Sequence, residues 1–446
     1  MKPTPVARRG ALLQVLGIGF GLAVTVGNTI GTGILRMPGE IAAQLPNSWL
    51  FILVWILGGA FALIASFSIA ELATMVPRSG GHYVFAHHAF GDYPGFVIGW
   101  CDWLGNCGST AAVALVIGEY SGLLLPALQG HEVLVSVAVV LLFAALQWRG
   151  IQLGSRVQQV STLFKGLGFL VFIVLAFVLA HRVSGSIPRA LPSGLALITA
   201  VVFALQAVIY AYDGWAGIIY FSEETKNPDR DIPRSLFGGV LSITAIYLLV
   251  NAALLYVLPI SKLAGNKLAM GTVALSIFGQ HGDTIVQLIT IVSMMAAINA
   301  YQLMMCRIPY SMSVDGLFPR IASRVNQGGT PDISLLLSTV IALAFVLSGG
   351  LDRVVAVLAF FFVVDYVFDL VAVFYLRRRD PQAHRPYRTW GYPWTTAIAL
   401  VAYAAFLVGA CVSDTRNSLF ALVLLAVSYP GYLLLRRFLA PGKLQQ

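Results

Sequence analysis

The sequence predicts an all-α polytopic membrane protein with about twelve transmembrane helices. Of its 446 residues, 58% are hydrophobic and only 11% are charged, and the mean hydropathy is +0.82. Soluble globular domains carry about 25% charged residues. Several apolar runs also exceed about 18 residues, the length that crosses a bilayer as a helix. The net charge of +9 is spread over the loops, so it indicates topology rather than nucleic-acid binding.

The predicted spans follow one another with short polar turns between them. Proline or glycine marks most of these turns, as at Pro77, Pro126, Pro259 and Pro393. The apolar run behind the basic N-terminus is too long for a signal-peptide core, so we expect it to be the first span. The twelve predicted spans are residues 11–45, 48–76, 93–126, 131–149, 155–181, 195–222, 236–259, 283–312, 333–349, 352–376, 394–413 and 417–435.

Lysine and arginine are concentrated at the N-terminus and in every second loop. The run from Arg377 to Arg388 is dense in arginine, whereas the opposite loops hold few basic residues, such as Lys262 and Arg353. Loops on the cytoplasmic side of a membrane carry an excess of basic residues. We therefore expect an integral protein of the plasma (cytoplasmic) membrane with both termini in the cytoplasm.

The first span is interrupted by the stretch from Gly27 to Gly33, which contains three glycines and several polar residues. Glycine costs about 1 kcal/mol in a helix interior relative to alanine, and a broken helix leaves backbone groups unpaired in lipid. Such a break is tolerated where it lines a cavity. The outer half-helix would present free N–H groups and the inner half free carbonyls, a pairing that suits an amino acid zwitterion. Close helix packing through small residues is the alternative.

The sixth span contains a second break of the same kind, at Tyr210 to Trp215. It lies five spans after the first, and because five is odd, a repeat of that length enters the membrane from the other side. Paired broken helices in two inverted halves indicate the site of a secondary transporter. We expect a first five-helix repeat in residues 1–191 with its break at 27–33, and an inverted second repeat in 192–380 with its break at 211–215. Residues 381–446 would form peripheral helices 11 and 12 and a cytoplasmic C-terminus.

These motifs resemble those of the amino acid–polyamine–organocation (APC) superfamily, and in particular its L-type amino acid transporter branch. Residues 27–34 resemble the first-helix motif of the superfamily, and residues 210–215 the sixth-helix motif of the branch. The loop motifs are also similar; they are found at residues 70–72, 77–81, 223–224, 227–228, 232–233 and 385–393. The resemblance covers nearly the whole chain and implies a core of two inverted five-helix repeats with alternating access.

The resemblance also implies binding roles for residues at the two breaks. The substrate carboxylate would be held by backbone N–H groups of Gly31, Thr32 and Gly33, together with the Thr32 hydroxyl. The substrate amine would be held by carbonyls of Thr29, Tyr210, Ala211 and Asp213. Tyr210 lies where the branch has an aromatic gate, commonly a phenylalanine, and a packed aromatic is the alternative. Asp213 could instead cap the helix at the break.

Lys165 lies near the start of the fifth span, and a lysine inside a span is costly and usually faces the bundle interior. The resemblance implies that it substitutes for the sodium ion of sodium-coupled relatives and pairs with helix-one carbonyls near Gly27. Burial disfavours the charged form of a lysine, so Lys165 could bind and release a proton during the cycle. Alternatively, it extends to the cytoplasmic surface.

Four further polar residues within the predicted spans are candidates for the pocket or for a proton relay. Asp365 and Asp369 lie four residues apart, on one face of the tenth span, and intramembrane carboxylates are usually functional. Asn106 and Asn299 could line the pocket from the third and eighth spans. Hydrogen bonding between helices is the alternative for all four.

The leading interpretation is a sodium-independent secondary amino acid transporter that works by proton symport or exchange, with neutral L-amino acids as substrates. A polyamine or cationic amino acid carrier is the alternative within the superfamily, and a channel-like leak the alternative from another class. We expect no enzyme, because H-E-x-x-H and G-x-S-x-G are both absent from the sequence. No cofactor, metal or nucleic acid is expected; the partners are the substrate and the lipid bilayer, and the sequence leaves an accessory subunit open.

Overall fold

The protein is all-helical, and each predicted span coincides with helix. The computed structural model describes residues 11–183, 190–266, 268–348, 351–413 and 415–439. In chain order its α-helices are α1 (Ile18–Thr29), α2 (Thr32–Gln44), α3 (Ser48–Met75), α4 (His82–Phe90), α5 (Asp92–Leu124), α6 (Glu132–Trp148), α7 (Ile151–Val178), α8 (Leu195–Tyr212), α9 (Pro228–Val257), α10 (Ile260–Leu263), α11 (Ala269–Phe278), α12 (Gly282–Met305), α13 (Arg307–Val314), α14 (Asp332–Leu347), α15 (Leu351–Arg379), α16 (Trp394–Ser413) and α17 (Thr415–Leu439).

The lengths and compositions of these helices fit a protein that crosses a membrane many times. Within the described ranges, six helical stretches are long and apolar enough to span, and the bent pair α1 and α2 makes a seventh. The α6, α14 and α16 helices are shorter but apolar. With α15 and α17, these elements account for the twelve spans, and the predicted polytopic all-α fold is confirmed.

Three local features differ from the expectation. The loop after the second span contains a buried helix, α4, rather than an irregular turn. The stretch between the seventh and eighth spans contains α10 and α11. The second half of the sixth span, Gly217–Glu224, is a 3₁₀-helix, with hydrogen bonds one residue tighter than in an α-helix. Hydropathy alone does not distinguish these states.

Helix contacts occur in pairs that are related by a shift of five spans along the chain. The α1 helix packs on α9 as α3 packs on α8; α6 packs on α12 as α14 packs on α5; and α7 packs on α12 as α15 packs on α5. Each pair is related by a shift of five spans, and a five-span repeat would produce these contacts. The interrupted spans pack on α3, α7, α9 and α12. Tyr220 and Trp215 of the sixth span also contact side chains of α5 and α15.

Backbone hydrogen bonds join the start of the first interrupted span to the end of the sixth. The Leu16 N–H donates to the Glu224 carbonyl at 2.9 Å, and the Lys226 N–H donates to the Leu16 carbonyl at 2.8 Å. The Gln14 side chain adds a bond to the Thr225 carbonyl. The chain before α1 is thereby fixed to the end of the 3₁₀-helix.

Candidate functional site

The first span is broken between Thr29, where α1 ends, and Thr32, where α2 begins, and the two helices are bent by 45°. The last carbonyls of α1 and the first N–H groups of α2 have no partner inside their own helices. The helix dipoles place partial negative charge at the end of α1 and partial positive charge at the start of α2. The break therefore offers hydrogen-bond acceptors on one side and donors on the other.

Side chains from two other helices donate to carbonyls at the end of α1. Lys165 Nζ of α7 donates to the Gly27 carbonyl at 2.7 Å and also to the Ile30 carbonyl. Ser293 of α12 donates to the Ile30 carbonyl at 3.1 Å. These bonds satisfy the carbonyl end of α1 within the protein.

Lys165 is buried, with 1% of its surface exposed, and its ammonium makes the contact near Gly27 that the resemblance implies. Two further residues of α7 act in the same way. Gln158 and Thr162 both donate to the Ala23 carbonyl, at 3.2 and 3.0 Å. Residues 158, 162 and 165 follow the i, i+4, i+7 spacing of one helix face. This spacing of polar residues in an apolar span is the signal that could have identified Gln158 and Thr162.

The second break begins after Tyr212, where α8 ends, and continues as a turn before the 3₁₀-helix at Gly217. Gly214 has φ +99°, a conformation that L-residues with a side chain rarely adopt. The Asn28 amide donates to the Gly214 carbonyl at 3.1 Å. A Cβ atom at Gly33 would lie 2.7 Å from Ala211 Cα. The two breaks therefore contact each other directly.

Tyr247 of α9 links the two breaks and was not among the predicted site residues. Its hydroxyl lies 3.0 Å from the Thr29 carbonyl oxygen and 2.8 Å from the Ala211 carbonyl oxygen. A hydroxyl has one proton to donate, and each carbonyl has a second lone pair free for another donor. A tyrosine in an uninterrupted apolar helix carries no sequence signal of such a role, because most such rings only pack.

The structure brings the predicted main-chain binding residues together. Gly31 and Gly33 lie at the N–H end of α2, and the side chain of Thr32 lies outside the described residues. Thr29 ends α1, while Tyr210 and Ala211 lie in the last turn of α8. Asp213 follows directly after α8 and is partly buried. Tyr210 is partly buried and interacts electrostatically with Asp213, Arg36 and Glu40.

Asn299 is not beside the breaks but between helices. Its carbonyl oxygen accepts from the Gln147 amide of α6, and its amide donates to Gln158 at 2.7 Å and to the Gly154 carbonyl at 3.2 Å. These bonds join α12 to α6 and α7. The helix-packing alternative accounts for every bond that this side chain makes.

Asn106 lines a narrow cavity next to the second break. Asp365 and Asp369 do not line it but interact with His82, which does. The cavity volume of about 20 Å³ suits one or two water molecules. Asp365 and Asp369 are fully buried in α15, on the face toward α4 and α5. The lining residues include Asn28, His82, Asn106, Asp213, Tyr220 and Tyr366.

Comparison with known proteins agrees with this architecture. The chain is 27% identical over 429 residues to the serine/threonine exchanger SteT of Bacillus subtilis, covering 94% of this chain and 96% of the relative. It is 25% identical over 411 residues to the mouse b(0,+)-type amino acid transporter 1, covering 89% of this chain and 82% of the relative. It is also 25% identical over 377 residues to the human cystine/glutamate transporter, covering 82% of this chain and 75% of the relative.

The family assignment rests on a match along almost the entire chain. The model of the amino acid permease family matches residues 12–429, which include both breaks and all of the helices around them. The protein is therefore a membrane transporter rather than an enzyme. The chain belongs to the amino acid permease family.

Proposed function

We propose that the protein is a sodium-independent secondary carrier of amino acids that works by alternating access, through proton symport or exchange. One observation carries this proposal: the N–H end of α2 and the carbonyl ends of α1 and α8 meet at one place in the bundle. Such a site is complementary to a carboxylate and an ammonium group held a few ångströms apart. Backbone atoms supply most of the recognition, so the site binds the α-amino and α-carboxyl groups that all amino acids share.

Within this site the substrate carboxylate binds the N–H groups of Gly31, Thr32 and Gly33. The ammonium binds carbonyls at Thr29, Tyr210 and Ala211, with Asp213 beside them. The Thr29 and Ala211 carbonyls remain available as acceptors, since the single proton of the Tyr247 hydroxyl occupies at most one lone pair of one of them. Tyr210 gates the site from α8.

Lys165 takes the place of a coupling sodium ion in this proposal. Its ammonium is enclosed by carbonyls of α1, as a bound cation would be. A fixed charge that bonds the end of α1 to α7 supplies the contact that sodium would otherwise make. Transport in either direction then does not require sodium.

Neutral L-amino acids are the proposed substrates, in keeping with the serine/threonine exchange named for the Bacillus relative. Asp213 favours a second candidate, an amino acid with a basic side chain, because a carboxylate adjoins the proposed ammonium site. We also propose cytoplasmic termini in the plasma membrane, from the distribution of arginine and lysine. The paired helix contacts support a five-span repeat, for which we propose the boundaries 191 and 380 from the sequence.

Counterflow into proteoliposomes tests the carrier function. Vesicles loaded with one unlabelled amino acid are given the labelled form outside, with L-serine, L-threonine, L-leucine, L-glutamate and L-arginine each tried as the pair. We expect saturable uptake that internal substrate stimulates, unchanged when choline replaces sodium. Uptake that is linear in concentration and indifferent to internal substrate would indicate a leak instead, and a requirement for sodium would contradict the role given to Lys165.

The carboxylate site is tested by Gly31→Ala. An added Cβ would lie 3.6 Å from Met294 Cε and 3.9 Å from the Thr29 carbonyl oxygen, so it fits the fold but enters the proposed substrate space. We expect the Kd of the substrate identified by counterflow to rise at least about tenfold, because the methyl group holds the carboxylate away from hydrogen-bonding distance. The amide of the same amino acid should bind as weakly to the unaltered protein.

The matched control for this change is Gly431→Ala, in α17. An added Cβ there meets no atom within 4 Å, and the position is remote from both breaks. Unchanged affinity in Gly31→Ala, or tight binding of the amide, would place the carboxylate elsewhere. Gly33→Ala is less informative because its Cβ would collide with Ala211.

A further inference from the structure

Three carboxylates and one imidazole meet between α4, α5 and α15, next to the second break. We call His82, Asp102, Asp365 and Asp369 the carboxylate cluster. All four residues are buried, with exposed fractions of 0–3%. His82 interacts electrostatically with each of the three carboxylates, so the four groups form one unit.

The cluster is partly satisfied by hydrogen bonds. His82 Nδ1 and Asp369 Oδ2 are 2.6 Å apart. The Tyr220 hydroxyl donates to Asp102 Oδ1 at 2.6 Å, and the Asn106 amide donates to the same oxygen at 2.7 Å. Asp102 and Asp369 thus each have one well-bonded oxygen.

Asp365 has no such bond. Both of its carboxylate oxygens are buried without a hydrogen-bond partner among the described residues, as are Oδ2 of Asp102 and Oδ1 of Asp369. A buried carboxylate without donors is strongly unfavourable, so it is either neutral or bound to a ligand. The other titratable groups that face Asp365 or the rest of the cluster are Cys101 from α5, Asp213 and Tyr220 from the interrupted sixth span, Tyr366 from α15 and Tyr403 from α16.

The charges of the cluster do not balance. With His82 protonated, one positive charge faces three carboxylates, and two negative charges remain. Lys165 contacts α1 instead and does not contribute. Like charges in a buried site cannot all remain ionised, so the cluster favours the binding of at least one further cation.

A proton is the cation that fits. In the described part of the chain, no group of three or more His, Cys, Asp or Glu residues is arranged to hold a metal ion. The adjoining cavity, at about 20 Å³, admits one or two water molecules but not an amino acid side chain. His82 lines this cavity and lies 2.6 Å from Asp369, so a proton can pass between water in the cavity and the carboxylates through the imidazole.

We propose that the carboxylate cluster is a proton-binding site of the transport cycle, with the proton held mainly on Asp365. This inference rests on the proposed carrier function. Tyr220 belongs to the 3₁₀-helix that forms the inner half of the sixth span, and its bond to Asp102 fixes that segment to α5. When the segment moves away, water enters, hydration favours the ionised carboxylate, and Asp365 releases its proton to that water.

Infrared spectroscopy of the full-length protein in lipid bilayers tests proton binding without any substrate. We expect the carbonyl band of a protonated carboxylic acid at neutral pH, which disappears on alkalinisation and shifts in D2O. The band should be absent in Asp365→Asn and unchanged in Asp283→Asn, which makes the same change at an exposed position at the start of α12. A wild-type protein without the band at neutral pH, or an Asp365→Asn protein that keeps it, would overturn the proposal.

Transport measurements test whether this proton is coupled. The readout is accumulation driven by an inward proton gradient, divided by counterflow at equal pH, for the substrate identified by counterflow. We expect this ratio to fall at least about tenfold in Asp365→Asn and to be unchanged in Asp283→Asn. A wild-type ratio that does not respond to the gradient, or an Asp365→Asn ratio equal to wild type, overturns the coupling role; absence of counterflow in the wild type instead overturns the proposed function.

Tyr220→Phe provides a second variant in case Asp365→Asn does not fold. It keeps the ring and removes only the hydroxyl that bonds to Asp102. We expect the carboxylic acid band to persist while the gradient-driven ratio falls at least about threefold, because the proton site remains but its link to the inner segment is lost. A wild-type ratio in Tyr220→Phe would refute that link.

Discussion

Replacing Lys165 with methionine is expected to lower transport turnover at least about a hundredfold while changing substrate affinity by less than about threefold. Methionine approximates the length of the lysine side chain and removes the ammonium group. The loss would fall on turnover because Lys165 contacts carbonyls of α1 and, in our proposal, does not contact the substrate.

The expected size follows from the bonds that are removed. A hydrogen bond to a charged group contributes about 1.5–3 kcal/mol, and Lys165 makes two. A change of about 2.7 kcal/mol in the balance between two conformations is already a hundredfold change in their ratio. Loss of the ammonium weakens the attachment of α1 to α7, which then depends on the bonds from Gln158 and Thr162 to the Ala23 carbonyl.

Turnover in this test is measured by counterflow at saturating substrate, and affinity by a thermal-shift titration of the purified protein. Ser161→Ala is the matched control, since within the described ranges Ser161 bonds only to carbonyls of its own helix, at Val157 and Gln158. We expect sodium to have no effect on either protein. Wild-type turnover in Lys165→Met would contradict the role given to Lys165. So would a requirement for sodium in the unaltered protein.

The sequence was sufficient to predict the spans and both breaks because each leaves a local signal. Apolar runs of sufficient length specify spans. The glycines between Gly27 and Gly33 would destabilise an uninterrupted helix, so they indicate a break. Lys165 was identifiable for the same reason, since a charge inside a span requires an explanation. In each case one residue or one short stretch violates the composition of its surroundings.

The residues that sequence reasoning missed violate nothing locally. Tyr247 becomes significant only because packing brings its hydroxyl between the Thr29 and Ala211 carbonyls. From the sequence, His82 is a loop residue. In the structure it belongs to α4, and its Nδ1 lies 2.6 Å from Asp369 Oδ2. Tertiary packing over hundreds of residues decides which polar groups become partners. No short stretch of a single sequence shows those pairings.

Breaking the buried ion pair between Arg307 and Glu224 is expected to destabilise the protein by about 3–5 kcal/mol. Arg307 Nε donates to Glu224 Oε1 at 2.9 Å and a terminal nitrogen donates to Oε2 at 3.0 Å, while both side chains are fully buried. Arg307→Met would leave the Glu224 carboxylate buried without its partner, and the cost of an uncompensated buried charge is of that order. The pair also joins α13 to the 3₁₀-helix, so its loss would loosen the second half of the sixth span.

A double-mutant cycle separates the ion pair from the packing of the two side chains. Arg307→Met, Glu224→Met and the double variant are compared by SDS-induced unfolding of the protein in mixed micelles. We expect the double variant to be more stable than either single variant, because replacing both charges with apolar groups of similar volume leaves no buried charge unpaired. If the two single losses simply add in the double variant, the charges are not coupled and the expectation is wrong.

The control is the ion pair of Arg324 and Asp332, which joins nearby parts of the chain. Its Nε–Oδ2 distance is 3.2 Å, and 66% of the Arg324 side chain is exposed, whereas Asp332 is buried but keeps a bond from the Ile333 N–H. Water and salt screen such a pair, so Arg324→Met should change the free energy of unfolding by about 1 kcal/mol or less. Added salt should reduce that small effect further, whereas the loss in Arg307→Met should persist at high salt because solvent does not reach the Glu224 carboxylate. Equal losses in Arg307→Met and Arg324→Met would show that burial of the first pair has no energetic consequence, contrary to our expectation.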